Sequence, residues 1–468
     1  MANGSIHVRE ISSCEPLEVA RKLKPYAHLA FLDSGKDPHG LGRYSYIGAD
    51  PFGVFRVING VAYWNEDALE ADPFEVLRAI LKRYELPTHP DLPPFQTGAI
   101  GFLSYEAARL IETVPGMIRP DADMPDLAFG FYDVIFAHDH AENRSFILSS
   151  GWPDQDVARR EKRAEARTLW LLNAINNPSP QASDNPAIED WHFDMDRARF
   201  ERSVADTIER ILNGDLFQAN LAQRFVASLP DHFDPMGFYA TLRSMSPSTF
   251  GAYLSFGDLQ LASNSPERFL TLKERHIEAR PIKGTAPRGK TPIEDEALAT
   301  ALKDSMKDRA ENTMIVDLLR NDLSRVAEKF SVKVPVLCGL ETYASMHHLV
   351  SVVEATLAEQ CDGVDLIKAA FPCGSISGAP KIKAMEIISE VEGLPRGVYC
   401  GSIGYIGFDG AMDLSVAIRT VTFRANQASF HAGGGITALS NPSEEYQETL
   451  VKAERIFRAF RLPRGEEQ

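Results

Sequence analysis

The chain has 468 residues, 44% of them hydrophobic, with 65 acidic against 49 basic side chains and a formal net charge of −16. That is ample apolar material for a buried core, and the length suits two or three domains, or one large domain with a smaller partner. The acidic balance excludes broad binding to nucleic acid or anionic membrane surfaces, which needs a basic face.

No stretch approaches the ~20 apolar residues of a membrane span. Met1 to Glu10 lacks the apolar core of a signal peptide. Cys14, Cys338, Cys361, Cys373 and Cys400 form no C-x-x-C pair. An odd count without metal-ligand spacing fits reduced thiols in a cytoplasm.

Residues 1–175 read as a strand-rich unit. Strands are expected at Leu29–Phe31, Arg43–Ile47, Phe55–Val57, Phe131–His138 and Ser145–Leu148, with a helix from Pro73 to Leu86 and a charged one from Asp154 to about Ile175. The polar, Pro-rich stretch from Asn176 to Pro186 reads as a linker, bounded at 176–193. The unit 194–463 opens with an amphipathic helix, with Phe200, Val204, Ile208 and Ile211 on one side, Asp194 as N-cap and Gly214 as stop. Leu216 to Ala227 then alternates like a strand, and helices and strands mix thereafter.

Gly284 to Thr291 matches the phosphate-loop pattern G-x-x-x-x-G-K-[ST]. That loop needs a strand before it and a helix starting at its lysine, so that free N–H groups face phosphates. His276–Ala279 supplies a strand. Pro292 directly after Thr291 opposes the helix, and the better helix begins near Glu294. Met314-Ile315-Val316-Asp317 imitates a metal-binding strand end but runs on without a break, as a helix buried on one face does.

Several further segments are chemically unusual. Ser377-Gly378-Ala379-Pro380 reads as a helix start, with Ser377 as N-cap and the positive helix end open to an anion; a plain cap explains it as well. Gly433, Gly434 and Gly435 let backbone approach a ligand closely, with amides available to a carboxylate; a tight hairpin explains them equally. Glu444 and Glu445 lie about one helical turn from Glu448. Such a face suits magnesium if Glu311 meets it, and is otherwise simply solvated. His347-His348 lacks zinc-site spacing. Arg419, amid Val416, Ile418 and Val421, needs an anion, which a structural ion pair also supplies.

The order and spacing of these segments over about 214–455, with Pro281-Ile282-Lys283-Gly284-Thr285, closely resemble the chorismate-utilising family, which includes anthranilate, aminodeoxychorismate and isochorismate synthases. Leu32-Asp33-Ser34 with Arg43-Tyr44-Ser45 is similar to a segment that binds tryptophan in some relatives. The resemblance implies an α/β (α+β) fold, a large sandwich of two sheets packed face to face with helices outside. It implies Mg²⁺ held by Glu311 and Glu448, with Glu445 through water. Tyr399 and Arg419 would bind the enolpyruvyl carboxylate, and the Gly433–Gly435 amides with Lys452 would hold the ring carboxylate or support the metal site. Ser375 and Thr285 belong to the same substrate site. Glu267 and His348 are the acid–base candidates.

Two positions discriminate within the family. Gln218 stands where isochorismate-forming members carry a water-activating lysine, which opposes water as nucleophile. Lys283 stands where anthranilate synthases carry alanine; with Ser375 in place of threonine it resembles the aminodeoxychorismate branch, which leads to p-aminobenzoate and folate. The implied reaction passes through a covalent Lys283 intermediate. Two displacements retain configuration where one inverts it, and a neutral amine is the nucleophile. No glutamine amidotransferase nucleophile elbow is visible, so a partner amidotransferase subunit is expected to supply ammonia. An anthranilate-forming enzyme, a phosphate-loop protein and an idle partner-binding subunit are the alternative readings.

Overall fold

The computed structural model describes residues 6–35, 40–118, 124–179, 185–343 and 346–461. Residues 180–184 of the expected linker, 1–5, 36–39 and 119–123 of the expected first unit, and 344–345 and 462–463 of the second lie outside the described residues.

Two large sheets organise the chain. In one, the strands run in the order His7–Ile11, Arg144–Ser149, Val134–Asp139, Tyr44–Gly48, Ala30–Asp33, Phe250–Phe256, Leu259–Ser265, Thr420–Arg424, Gln427–Ile436, Gln218–Ser228 and His192–Phe193, with Gly378–Ala379 added on Gln218–Ser228. In the other, Ile282–Pro287 is followed by Met346–Thr356, His276–Ala279, Arg268–Lys273, Met412–Val416, Ser402–Gly407, Gly98–Leu103, Leu127–Tyr132, Gly53–Ile58, Val61–Trp64 and Asp67–Leu69. Lys333–Thr342 also pairs with Met346–Thr356.

The boundary expected at 176–193 is not followed by these sheets. Gly98–Leu103 pairs with Ser402–Gly407, and Ala30–Asp33 with Phe250–Phe256. Strands from both sides of the boundary are hydrogen-bonded neighbours in each sheet, so the two stretches share one core. Both facing surfaces of the sheets are apolar, as a sandwich requires. Tyr46, Ile135 and Leu254 of the first sheet form one buried cluster with Phe102, Ala128 and Ile403 of the second. Outside, the helices Pro16–Leu23, Val157–Asn176, Pro235–Met245 and Pro442–Arg461 contribute to a cluster over the first sheet. The helices Pro73–Arg83, Met306–Ser324 and Gly363–Ala370 contribute to one over the second. No helix among the described residues is long and apolar enough to cross a membrane.

Local expectations shift by a few residues for identifiable reasons. The second half's first helix is Arg197–Leu212, capped by Asp196, whose carboxylate accepts from the Arg199 N–H. Asp194 is instead ion-paired to Arg224. Ser377 is not a cap either; it ends the short helix Gly374–Ser377 and donates to Cys373 O at 3.0 Å. The following helix, Lys381–Glu392, has Pro380 at its N-cap position. The helix is Pro292–Asp304, two residues earlier than expected, because a first-turn proline lacks only an N–H that would be unpaired anyway; its N-cap Thr291 is extended, so no helix starts at Lys290 as a phosphate loop requires. Ile282–Pro287 is a strand, so its residues are not free to wrap a phosphate.

Candidate active site

The site gathers where Gln218–Ser228 and Gln427–Ile436 meet the helices Met306–Ser324 and Pro442–Arg461 and the strand Ile282–Pro287. Lys283 lies in that strand, whose pairing with Met346–Thr356 is irregular between Ile282 and Thr285. Gly284 takes φ +88° there, and a Cβ at this position would stand 2.9 Å from Asp308 Cβ. Both the turn and the close approach therefore call for glycine.

The glycine run lies inside a strand, not at a hairpin. Gly433, Gly434 and Gly435 register with Ala222, Leu221 and Asn220. Their value lies in what stands against them. A Cβ on Gly435 would sit 2.1 Å from Gln218 Nε2 and 3.2 Å from Lys283 Nζ. One on Gly434 would sit 3.2 Å from both Glu445 Oε2 and Glu448 Oε1. Gly433 faces backbone, with Leu221 O at 2.2 Å and Ala222 Cα at 2.7 Å from its added carbon. Gly433→Ala is expected to destabilise the fold by about 1–3 kcal/mol through overpacking, read as a lower denaturation midpoint. An unchanged midpoint would contradict this packing.

Three carboxylates lie on two helices. Burial raises the Glu311 pKa against the pull of Lys283 and Lys307, with Asp308 and Glu448 adding to the rise. Burial also raises Glu445, which accepts from Ser440 Oγ at 2.6 Å. Burial pushes Glu448 up too, but Lys452, Lys307 and Lys283 outweigh it and hold the carboxyl below its usual range. Lys452 Nζ lies 2.6 Å from Glu448 Oε1 and donates to Gly433 O at 2.8 Å. Among the described residues these carboxylates do not close into a three-ligand metal cluster. They are nonetheless oxygen donors that repel one another, the donor chemistry that a hard divalent cation relieves.

Glu267 is buried and accepts from Ser375 Oγ at 2.7 Å and from the Ile282 N–H at 3.4 Å. Burial raises its pKa, opposed by the Ser375 bond and by Lys283. The Lys283 charge therefore acts on Glu267, Glu311 and Glu448 alike. Ser375 is engaged with Glu267, and Thr285 Oγ1 with His348 Nδ1 at 2.9 Å. Burial, with Arg419 and His347, holds His348 down at about 4, so its ring is neutral at physiological pH.

Arg419 is half-buried, with φ +51°. Burial lowers its pKa to about 10 and Arg455 adds repulsion; no carboxylate pairs with it among the described residues. The structural ion pair is thus absent there, and the guanidinium is open to an anion. Tyr399 is buried and stacked on His431, ring centroids 5.0 Å apart and 10° from parallel. Among the described residues the buried Gln218 Oε1 has no hydrogen-bond partner.

Reading the sequence missed Glu392, Arg396 and His431. The first two are four residues apart across Gly393, a pattern that reads as an ordinary exposed helix-end pair. The segment similar to a tryptophan-binding one lines a separate cavity of about 400 Å³, with Leu32, Asp33, Ser34, Arg43 and Tyr44 in its wall and none of the residues above.

Comparison with known proteins gives a consistent answer. The model of the chorismate binding enzyme family matches residues 29–458. Aminodeoxychorismate synthase component 1 of Escherichia coli (strain K12) is 40% identical over 439 residues, 93% of each chain. Anthranilate synthase component 1 of Thermus thermophilus is 37% identical over 452 residues, covering 96% of this chain and 95% of the relative. The crystal structure of anthranilate synthase component I from Streptococcus pneumoniae superposes with a TM-score of 0.80 at 33% identity, covering 90% of this chain and 93% of that one. With the two-sheet fold, the glycine-floored carboxylate site and a family match across most of its length, this chain belongs to the chorismate binding enzyme family.

Proposed function

We propose that the chain converts chorismate and ammonia to 4-amino-4-deoxychorismate, the activity carried in the name of its Escherichia coli relative. The observation that carries this reading is one lysine amine, that of Lys283, standing against Gly435 and acting on Glu267, Glu311 and Glu448. An anthranilate-forming site has no use for a nucleophilic amine at this point.

Arg419 and Tyr399 bind the enolpyruvyl carboxylate, since a guanidinium without a partner matches that planar anion. Lys452 and the Gly433–Gly435 strand bound the ring carboxylate, and Gln218, Ser375 and Thr285 complete the wall. Glu311 and Glu448 would hold Mg²⁺, with Glu445 through water. Bound there, the ion would neutralise charge developing on the ring carboxylate.

Lys283 first gives its ammonium proton to solvent, and the freed amine bonds to the conjugated ring. The allylic C–O bond breaks, and the hydroxyl leaves as water with the proton of Glu267, a carboxyl whose burial favours the protonated form. His348, neutral and tied to Thr285, orients the leaving group rather than supplying a cationic acid. Ammonia then forms the new C–N bond, the bond to Lys283 breaks, and a proton returns to Glu267. Two displacements restore the original face. Ammonia comes from the glutaminase reaction of a separate amidotransferase subunit. The five free thiols suit a reducing cytoplasm.

Product identity tests this. The chain, chorismate, Mg²⁺ and ammonium are incubated at mildly alkaline pH and resolved by chromatography with mass detection. Aminodeoxychorismate, its pyruvyl carbons retained, is the expected product. Anthranilate with released pyruvate would overturn the assignment, and unreacted chorismate would return the idle-subunit reading.

A further inference from the structure

Arg396 and Glu392 form a buried ion pair, 3% and 5% exposed, that the reaction above does not use. The guanidinium donates from Nε to Glu392 Oε2 at 2.9 Å and from Nη2 to Glu392 Oε1 at 2.6 Å. Its other donors reach backbone: Nη2 to Asn220 O, and Nη1 to Ile376 O at 3.2 Å. Glu392 Oε1 also accepts from the Ala222 N–H at 2.8 Å. The Arg396 and Gly397 N–H groups are held by Glu106, at 2.7 and 3.0 Å. The Arg396 guanidinium carbon lies 4.7 Å from the Tyr105 ring centroid and 5.6 Å from that of Tyr399.

Three segments that carry site groups thus converge on one side chain. Asn220 follows Gln218 by two residues and registers with Gly435. Ile376 follows Ser375, the partner of Glu267. Tyr399 lies three residues beyond Arg396, with that guanidinium over its ring and His431 stacked on it. A buried pair of this kind is a poor stability device, because apolar residues of equal volume serve as well. Apolar residues cannot make directed bonds to the Asn220, Ala222 and Ile376 backbones, which belong to two separate segments. The guanidinium is engaged within the protein, so it does not itself bind the substrate.

We propose that the Glu392–Arg396 pair is the positioning element of the chorismate site, acting through Tyr399 to set affinity for the enolpyruvyl end. This rests on the function proposed above. The pair fixes the Tyr399 ring, which the Arg396 guanidinium faces; it takes no part in proton or amine transfer.

The test is steady-state kinetics of Arg396→Lys and Glu392→Gln, alone and combined with Tyr399→Phe, varying chorismate and ammonium separately. Arg396→Lys is expected to raise KM for chorismate at least about tenfold, the scale of a small misplacement of a binding group, and to leave KM for ammonium unchanged. Adding Tyr399→Phe should cost little more, because the two residues act as one unit. A purely structural pair would instead lower the active fraction, and so kcat, at unchanged KM. If Arg396→Lys does not accumulate in soluble form, Glu392→Gln, which keeps the shape, decides by the same criterion. A wild-type KM for chorismate in the soluble variants, or full additivity with Tyr399→Phe, would overturn the proposal. Failure of the wild-type chain to turn over chorismate is a different result and would strike the function on which the proposal rests.

Discussion

Replacing Lys283 with alanine is expected to lower amination of chorismate by about 10³-fold or more, the advantage of a nucleophile held against its target, while chorismate affinity stays nearly unchanged. Lys283 stands at the edge of the glycine floor. The groups proposed to bind the two carboxylates, Arg419, Tyr399, the Gly433–Gly435 strand and Lys452, do not depend on it. Truncation therefore removes a reacting atom and leaves the binding surface. Residual turnover by direct attack of ammonia would come with inverted configuration at the aminated carbon, which chiral chromatography reads. A variant as active as the wild type, with the same product, would remove Lys283 from the chemistry.

Glu267→Gln is expected to reduce turnover by about 10²–10⁴-fold, the usual contribution of a positioned acid–base group, again with little change in chorismate affinity. The amide keeps the size of the carboxyl and the contact with Ser375 Oγ but cannot deliver a proton to the leaving hydroxyl. The pH dependence follows from the direction of the Glu267 shift. Burial raises its pKa, so the active acid is the protonated form, present at low pH and lost as pH rises through that raised value. Wild-type kcat should carry this descending limb, and Glu267→Gln should lack it. His348, held at about 4, is already neutral across that range and contributes no such limb. A descending limb that survives in Glu267→Gln and disappears in His348→Ala would exchange the two roles.

Much of this was legible in the sequence, and the failures are physical. The helix holding Phe200, Val204 and Ile208 announces itself by periodicity, and its cap moved only from Asp194 to Asp196 because Arg224 claims Asp194. Glu445 and Glu448 share a helix face as spacing requires. The partition into units was not legible. Nothing local in Gly98–Leu103 records that its partner is some three hundred residues away in Ser402–Gly407. The glycine run read as a hairpin or an amide nest, because only the packed structure places Glu445, Glu448, Gln218 and Lys283 against it. Arg396 gives no signal in the sequence for the same reason: its environment is built by strand and turn backbones remote in sequence.

In the proposed reaction Lys283 bonds to the substrate before nitrogen from ammonia does. Intact-protein mass spectrometry of the wild-type chain, acid-quenched after mixing with chorismate and Mg²⁺ without ammonium, tests it most directly. The expected result is a species heavier by chorismate less one water, mapped by peptide digestion to Lys283, which disappears when ammonium is added. Turnover of chorismate to aminodeoxychorismate by a chain that never carries this adduct would contradict it.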